Sequence, residues 1–163
     1  MARSCADPLG GSAVEKIYLE DVAIGDKETA GPYTLSRDEI ISFAARYDPE
    51  PFHTDEQAAA SSVFGGLTAS SAHLFAIAYA LSHLRKRRLA VLAGLGIEQM
   101  EFPNPARPGD LLSFSMTILD KRESKSRPDR GIVLVHTVVS NQRGEPVIDY
   151  KLKVMVARRG VPT

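Results

Sequence analysis

The run from Ala69 to Leu84, ASSAHLFAIAYALSHL, decides the fold. Leu74, Ile77, Ala78, Leu81 and Leu84 recur at the spacing of one helical face, while Ala72, Ala76 and Ala80 keep the rest of the helix narrow and apolar. A helix apolar over most of its circumference is a buried one. It runs into Arg85-Lys86-Arg87-Arg88, cations that suit the exposed carbonyls of a last turn. Beyond that point the period changes to two. Leu95 to Phe102 reads as one strand, and in the next Leu112, Phe114, Met116 and Ile118 alternate with Ser113, Ser115 and Thr117. Ile132 to Ser140 and Val147 to Ala157 complete the set, joined by the hairpin turn Asn141-Gln142-Arg143-Gly144. The expectation is an α+β domain in which one long helix lies on an antiparallel sheet.

Upstream, Ile17 to Asp26 mixes β-branched residues with acids and ends on Gly25-Asp26, which predicts a short strand or edge segment. Ser36 with Glu39 forms a capping box, and Ile40, Ile41, Ala44 and Tyr47 follow at helical spacing. Pro49 should end that helix at Tyr47 or Asp48. Thr54 with Gln57 offers a second capping box for a short helix toward Ser61, and Val63 to Leu67 is a glycine-loosened loop. Lys121 to Gly131, charged and proline-containing, is read as a loop outside the core. Residues 1–16 are read as a flexible N-terminal extension, 17–158 as one domain and 159–163 as a C-terminal tail. A sheet wrapped on one helix still has two edges, and pairing with a second copy would cover them. A homodimer or higher homo-oligomer is therefore expected.

The chain has 163 residues, of which 44% are hydrophobic and 25% charged, enough for one domain with a sizeable core. Twenty Lys plus Arg balance twenty Asp plus Glu, so no general pull toward nucleic acid or an anionic membrane exists. The single cysteine, Cys5, excludes an internal disulfide or a multi-cysteine metal cluster. With no signal-peptide core and no run of about 18 apolar residues, a cytoplasmic location is expected.

The stretch most informative for chemistry is Asp48-Pro49-Glu50-Pro51-Phe52-His53-Thr54-Asp55. It sets carboxylates and an imidazole, the groups of general acid-base chemistry, along a segment that prolines hold out of a long helix. Fully extended, Asp48 and His53 would lie roughly 16 Å apart, at about 3.3 Å per residue. They share a substrate only if the prolines turn the chain back. The alternative is a solvated turn in which Asp48 caps a local amide and His53 precedes the next helix.

Three segments, Phe43 to Ala58, Phe64 to Ser71 and Ile97 to Asp110, resemble the MaoC-like dehydratases, also called (R)-specific enoyl-CoA hydratases, of the hotdog fold. The resemblance spans about Ile17 to Arg158. Its most specific part is the hydratase motif that runs from Asp48 to His53, with Glu50 standing where Asn is commoner. It implies a single hotdog domain whose curved antiparallel sheet grips the central helix, with the motif on an overhanging segment. It further implies that Asp48 and His53 hold the water added to a trans-2-enoyl thioester, and that the Ser71 amide receives the thioester oxygen. Phe64, Gly65 and Gly66 would let the acyl chain approach the backbone. The family's usual His-Gly pair is Ser70-Ser71 here. No metal or redox cofactor is implied, coenzyme A being part of the substrate, although an acyl-carrier thioester is an alternative.

The reading is therefore a reversible hydratase or dehydratase. Its rivals are a thioester hydrolase on the same fold and a non-catalytic acyl-thioester-binding protein. His73, His83 and His136 are read as packed or partly exposed histidines without a partner at metal-ligand spacing. The Arg85 to Arg88 run and Lys121, Arg122, Lys125, Arg127 and Arg130 would suit either coenzyme A phosphates or a solvated surface. No phosphate loop or aromatic-rich basic stretch supports nucleotide chemistry or nucleic-acid binding.

Overall fold

A computed structural model describes residues 14–160. The elements run β1 (Glu15–Ile17), β2 (Lys27–Thr34), α1 (Arg37–Tyr47), α2 (Pro51–Thr54), α3 (Glu56–Ala60) and α4 (Ser71–His83), then β3 (Arg87–Leu89), β4 (Val91–Glu101), β5 (Leu111–Glu123), β6 (Arg130–Ser140) and β7 (Pro146–Ala157). Five strands form an antiparallel sheet in the order β2-β5-β6-β7-β4. β1 and β3 make a separate parallel pair, with Glu15 opposite Arg87 and Ile17 opposite Leu89.

Local chemistry explains the helices. Ser70 has extended backbone and its hydroxyl accepts from the His73 amide, so α4 begins at Ser71. His73, Leu74, Ile77, Ala78 and Leu81 are buried, and α4 packs across β2, β5 and β7. The central strand β6 alternates along its whole length, with Val133, Val135, Thr137 and Val139 turned into the core. The α+β architecture, with one long helix on an antiparallel sheet, is as expected.

Several local expectations need correction. Leu84 was placed on the buried face of α4 but is 43% exposed, because the helix ends at His83 and Leu84 is its C-cap. Ala72, Ala76, Tyr79 and Ala80 are also exposed, so α4 is not buried over most of its circumference in the single chain. The strand expected at Ile17 to Asp26 is instead the end of β1 followed by a 3-10 turn at Leu19–Asp21. Most of the expected N-terminal extension, residues 1–13, lies outside the described residues, but Glu15 and Lys16 belong to β1. Of the expected tail, residues 161–163 also lie outside them.

Arg87 and Arg88 leave the expected helix end to form β3, where Arg87 pairs with Glu15 at 3.4 Å and Glu28 at 3.2 Å. β5 runs on to Glu123 and β6 begins at Arg130, shortening the expected 121–131 loop. The short helix before the glycine loop is capped by Asp55, whose carboxylate accepts from Ala58 N at 2.7 Å, and not by Thr54. β2 escaped the sequence reading altogether. Gly31-Pro32 interrupts its alternation, and the register with β5 shifts between Ala30 and Tyr33.

Gly131 marks the tightest packing beside β6. A β-carbon there would lie 2.6 Å from the Arg122 carbonyl oxygen and against the Leu19 side chain. Since backbone on a paired strand cannot move aside cheaply, Gly131→Ala should lower stability by about 1–3 kcal/mol, read from the urea midpoint at constant slope. An unchanged midpoint would show that β5 and β6 yield easily there.

Candidate active site

α1 stops where the sequence requires. Asp48, its C-cap, donates its amide to Ala44 O at 2.8 Å, and the two prolines then turn the chain so sharply that Glu50 N reaches Asp48 O at 2.8 Å. Pro51 sits at the first position of α2, where a missing N–H costs nothing. His53 N closes the turn on Glu50 O at 2.9 Å. His53 thus lies inside a short helix and not ahead of one, and Asp48 Oδ2 comes to 3.8 Å from its Nε2. Glu50, the departure from the commoner Asn, takes part through its backbone, and its side chain is exposed.

His53 is 6% exposed, with Phe52 edge-on to its ring at 4.5 Å. Its Nδ1 lies 2.7 Å from Thr68 O. A carbonyl only accepts, so Nδ1 carries a proton, and in the neutral imidazole Nε2 is left with a lone pair facing Asp48. Thr68 is itself held, its hydroxyl donating to Ala106 O at 3.1 Å and its amide reaching Phe52 O at 3.4 Å. Three residues beyond Thr68, Ser71 opens α4. The Ser70 hydroxyl takes the His73 amide, which leaves the Ser71 and Ala72 amides without an acceptor in the helix.

The glycine loop packs against the same segment. Phe64 meets Phe52 with ring centres 5.1 Å apart, and Gly65 turns the chain at φ +64°. Arg107, which the sequence reading did not single out, donates its guanidinium to the carbonyls of Phe64, Gly66 and Leu67. Its own amide is held by the buried Asp110 at 2.7 Å. Several charge-assisted bonds depend on this one planar head. Arg107→Ala should therefore speed hydrogen exchange at the Thr68 and Ala69 amides by about tenfold or more, as expected for losing a bond to a charged group. Exchange equal to wild type would show that the loop holds itself.

A second cluster joins the two helices that carry the site. Glu39 on α1 accepts from His73 Nε2 at 3.0 Å and from the Tyr33 hydroxyl, while His73 stacks on Phe43 with ring centres 4.3 Å apart. Glu39 is thus drawn away from the reciprocal capping-box contact, and only the Ser36 half forms, at 3.1 Å. Burial pushes the Glu39 carboxyl up, but the bonds from His73 and Tyr33 outweigh it and hold it below the usual carboxylate range. Burial, then Glu39, pushes the Tyr33 phenol well up. Among the described residues, His73 Nδ1 is buried without a partner. His136 pairs with Asp149 at 2.7 Å, and Arg88 donates to His83 Nδ1 at 2.8 Å. The acidic partners of His73 and His136 come from other elements, so spacing along the chain did not reveal them.

The MaoC like domain family model matches residues 21–140. The chain belongs to that family. A MaoC-like dehydratase from Rhodospirillum rubrum of known structure is 42% identical, with a TM-score of 0.83 over 89% of this chain and 99% of that one. The uncharacterized protein YdeM of Bacillus subtilis is 29% identical over 142 residues, 86% of this chain and 99% of YdeM. The mesaconyl-CoA hydratase of Haloarcula hispanica is 39% identical over 66 residues, 40% of this chain but 18% of that protein. The fold of this MaoC-like chain is the hotdog, as the resemblance implied. No helix among its described residues is long and apolar enough to cross a membrane.

Proposed function

We propose that the protein catalyses the reversible hydration of a trans-2-enoyl thioester, carried by coenzyme A, to the (R)-3-hydroxyacyl thioester. The observation that carries this reading is the facing pair of acceptors, Asp48 Oδ2 and His53 Nε2, 3.8 Å apart with the far side of the ring bonded to Thr68 O. One water can donate a hydrogen to each, which turns its lone pairs outward toward a β-carbon. As the C3–O bond forms, Nε2 takes one water proton, and the electrons of the double bond move toward the thioester oxygen. The enolate takes a proton at C2 from the coupled Asp48-His53 unit, so the water's two hydrogens end on the product and the pair returns to its starting state. The Ser71 amide, at the positive end of α4, would donate to the thioester oxygen as negative charge grows there. Phe64, Gly65 and Gly66 would flank the acyl chain.

Membership of the MaoC-like family and the likeness to a mesaconyl-CoA hydratase over part of its length support this class of reaction. We infer a homodimer, supported by the apolar side chains Val91, Leu95 and Ile97 exposed on the edge strand β4. The test is to incubate purified protein with crotonyl-CoA and longer enoyl-CoAs, following enoyl absorbance and free thiol together. Loss of absorbance without thiol release is expected. Thiol release with the enoyl group intact would make the protein a thioesterase, and ligand binding without turnover would make it a carrier.

A further inference from the structure

Beside the C-terminal half of α4, where Tyr79, Ser82 and His83 face it, a cavity of about 410 Å³ opens over the sheet. Its floor is Phe114, Met116, Val135, Tyr150 and Val154, all buried. Its rim carries Lys16, Arg85 and Arg88, and none of the described residues lining it is acidic. Neither Asp48 nor His53 reaches it. The helix that separates this end from Ser71 is about 20 Å long, at about 1.5 Å per residue. The volume is in the range of small-molecule sites, about 300–1,000 Å³.

Arg85 makes this cavity more than an apolar hollow. Its Nε donates to Ser82 O at 2.8 Å, Nη1 lies on the Met116 sulfur, and the guanidinium carbon stands 5.6 Å from the centre of the Phe114 ring. Among the described residues no carboxylate forms an ion pair with it, and Glu28, the acid whose field it feels, is bonded to Arg87 at 3.2 Å. Burial accordingly pushes its guanidinium below the ordinary value. A desolvated cation with only a carbonyl, a sulfur and a ring for company is costly unless an anion joins it. Tyr150 and Thr137 add hydroxyls to an otherwise hydrocarbon floor.

We propose that this cavity binds an aliphatic carboxylate, its head bidentate on Arg85 and its chain lying over Phe114, Val135 and Val154. The bulky diphosphate end of a nucleotide does not suit walls of this kind, whereas a single small anion on a hydrocarbon tail matches both the cation and the floor. This proposal stands apart from the hydration chemistry, since it uses none of the residues assigned there.

The test is titration of the full-length protein with decanoate, decanol and butanoate by calorimetry, with methyl spectra of protein labelled at its four methionines. Decanoate should bind saturably and at least about tenfold more tightly than either other compound, and should move the Met116 methyl signal. Arg85→Met should remove that preference over decanol. Gly94→Leu, at a lining position where a β-carbon meets nothing within 4 Å, should block both compounds without disturbing the fold. Equal binding of decanoate and decanol, decanoate affinity unchanged in Arg85→Met, or a Met116 signal that responds to protein concentration but not to decanoate would each overturn the proposal. The last outcome would assign the cavity to a second copy of the chain.

Discussion

His53→Ala and Asp48→Asn will each lower the rate of enoyl-thioester hydration by at least about a hundredfold while leaving the protein folded. The two substitutions act differently on the same geometry. Alanine removes Nε2, the proton acceptor, and also frees Thr68 O from its 2.7 Å bond. Asparagine keeps the shape beside Nε2 but replaces a carboxylate with a group that presents donors as well as an acceptor, so a water between them loses its fixed orientation. Both losses fall on the chemical step, so kcat should drop with little change in KM. Full activity in either variant would remove the Asp48-His53 pair from the mechanism.

The second large effect is on stability. Glu39→Ala will destabilise the fold by about 2–4 kcal/mol, because it strips Tyr33 of its acceptor and leaves the buried His73 with neither ring nitrogen bonded. Glu39→Gln keeps an acceptor and should recover much of the loss. The acid dependence separates charge from shape. The folded state holds the Glu39 carboxyl below its ordinary value, so its contribution is complete above the unfolded carboxyl's range near about pH 4.3. It is lost as the pH falls through the lower, folded value. The gap in urea midpoint between wild type and Glu39→Gln should therefore be widest near neutrality and close below about pH 4. A gap that stays constant over that range would mean that hydrogen-bond geometry alone sets the effect.

The parts of the fold legible from sequence are those governed by neighbours in the chain. The spacing of Leu74, Ile77 and Leu81 and the alternation in β5 and β6 are local patterns, and each produced its element. The two prolines between Asp48 and His53 marked the end of α1 but left open whether the chain turns back, and the backbone bonds from Glu50 to Asp48 and from His53 to Glu50 make that turn. What stayed hidden depends on contacts across the chain. β1 and β3 are three residues each and hold together only as a pair, and β2 is read correctly only beside β5. Glu39 looked like the second half of a capping box until His73, 34 residues away, claimed it. Arg107 reaches back about 40 residues to the loop it holds, and no periodicity along the sequence marks such a reach.

The bond between His53 and Thr68 O carries one more consequence. With one ring nitrogen committed to a carbonyl inside the protein, the imidazole cannot turn over without abandoning that bond, so its basic side always faces the same direction. On the proposed chemistry the oxygen atom then arrives at a flat double bond from a single flank in every turnover. The handedness of the alcohol would thus be dictated by one peptide oxygen that never touches the substrate.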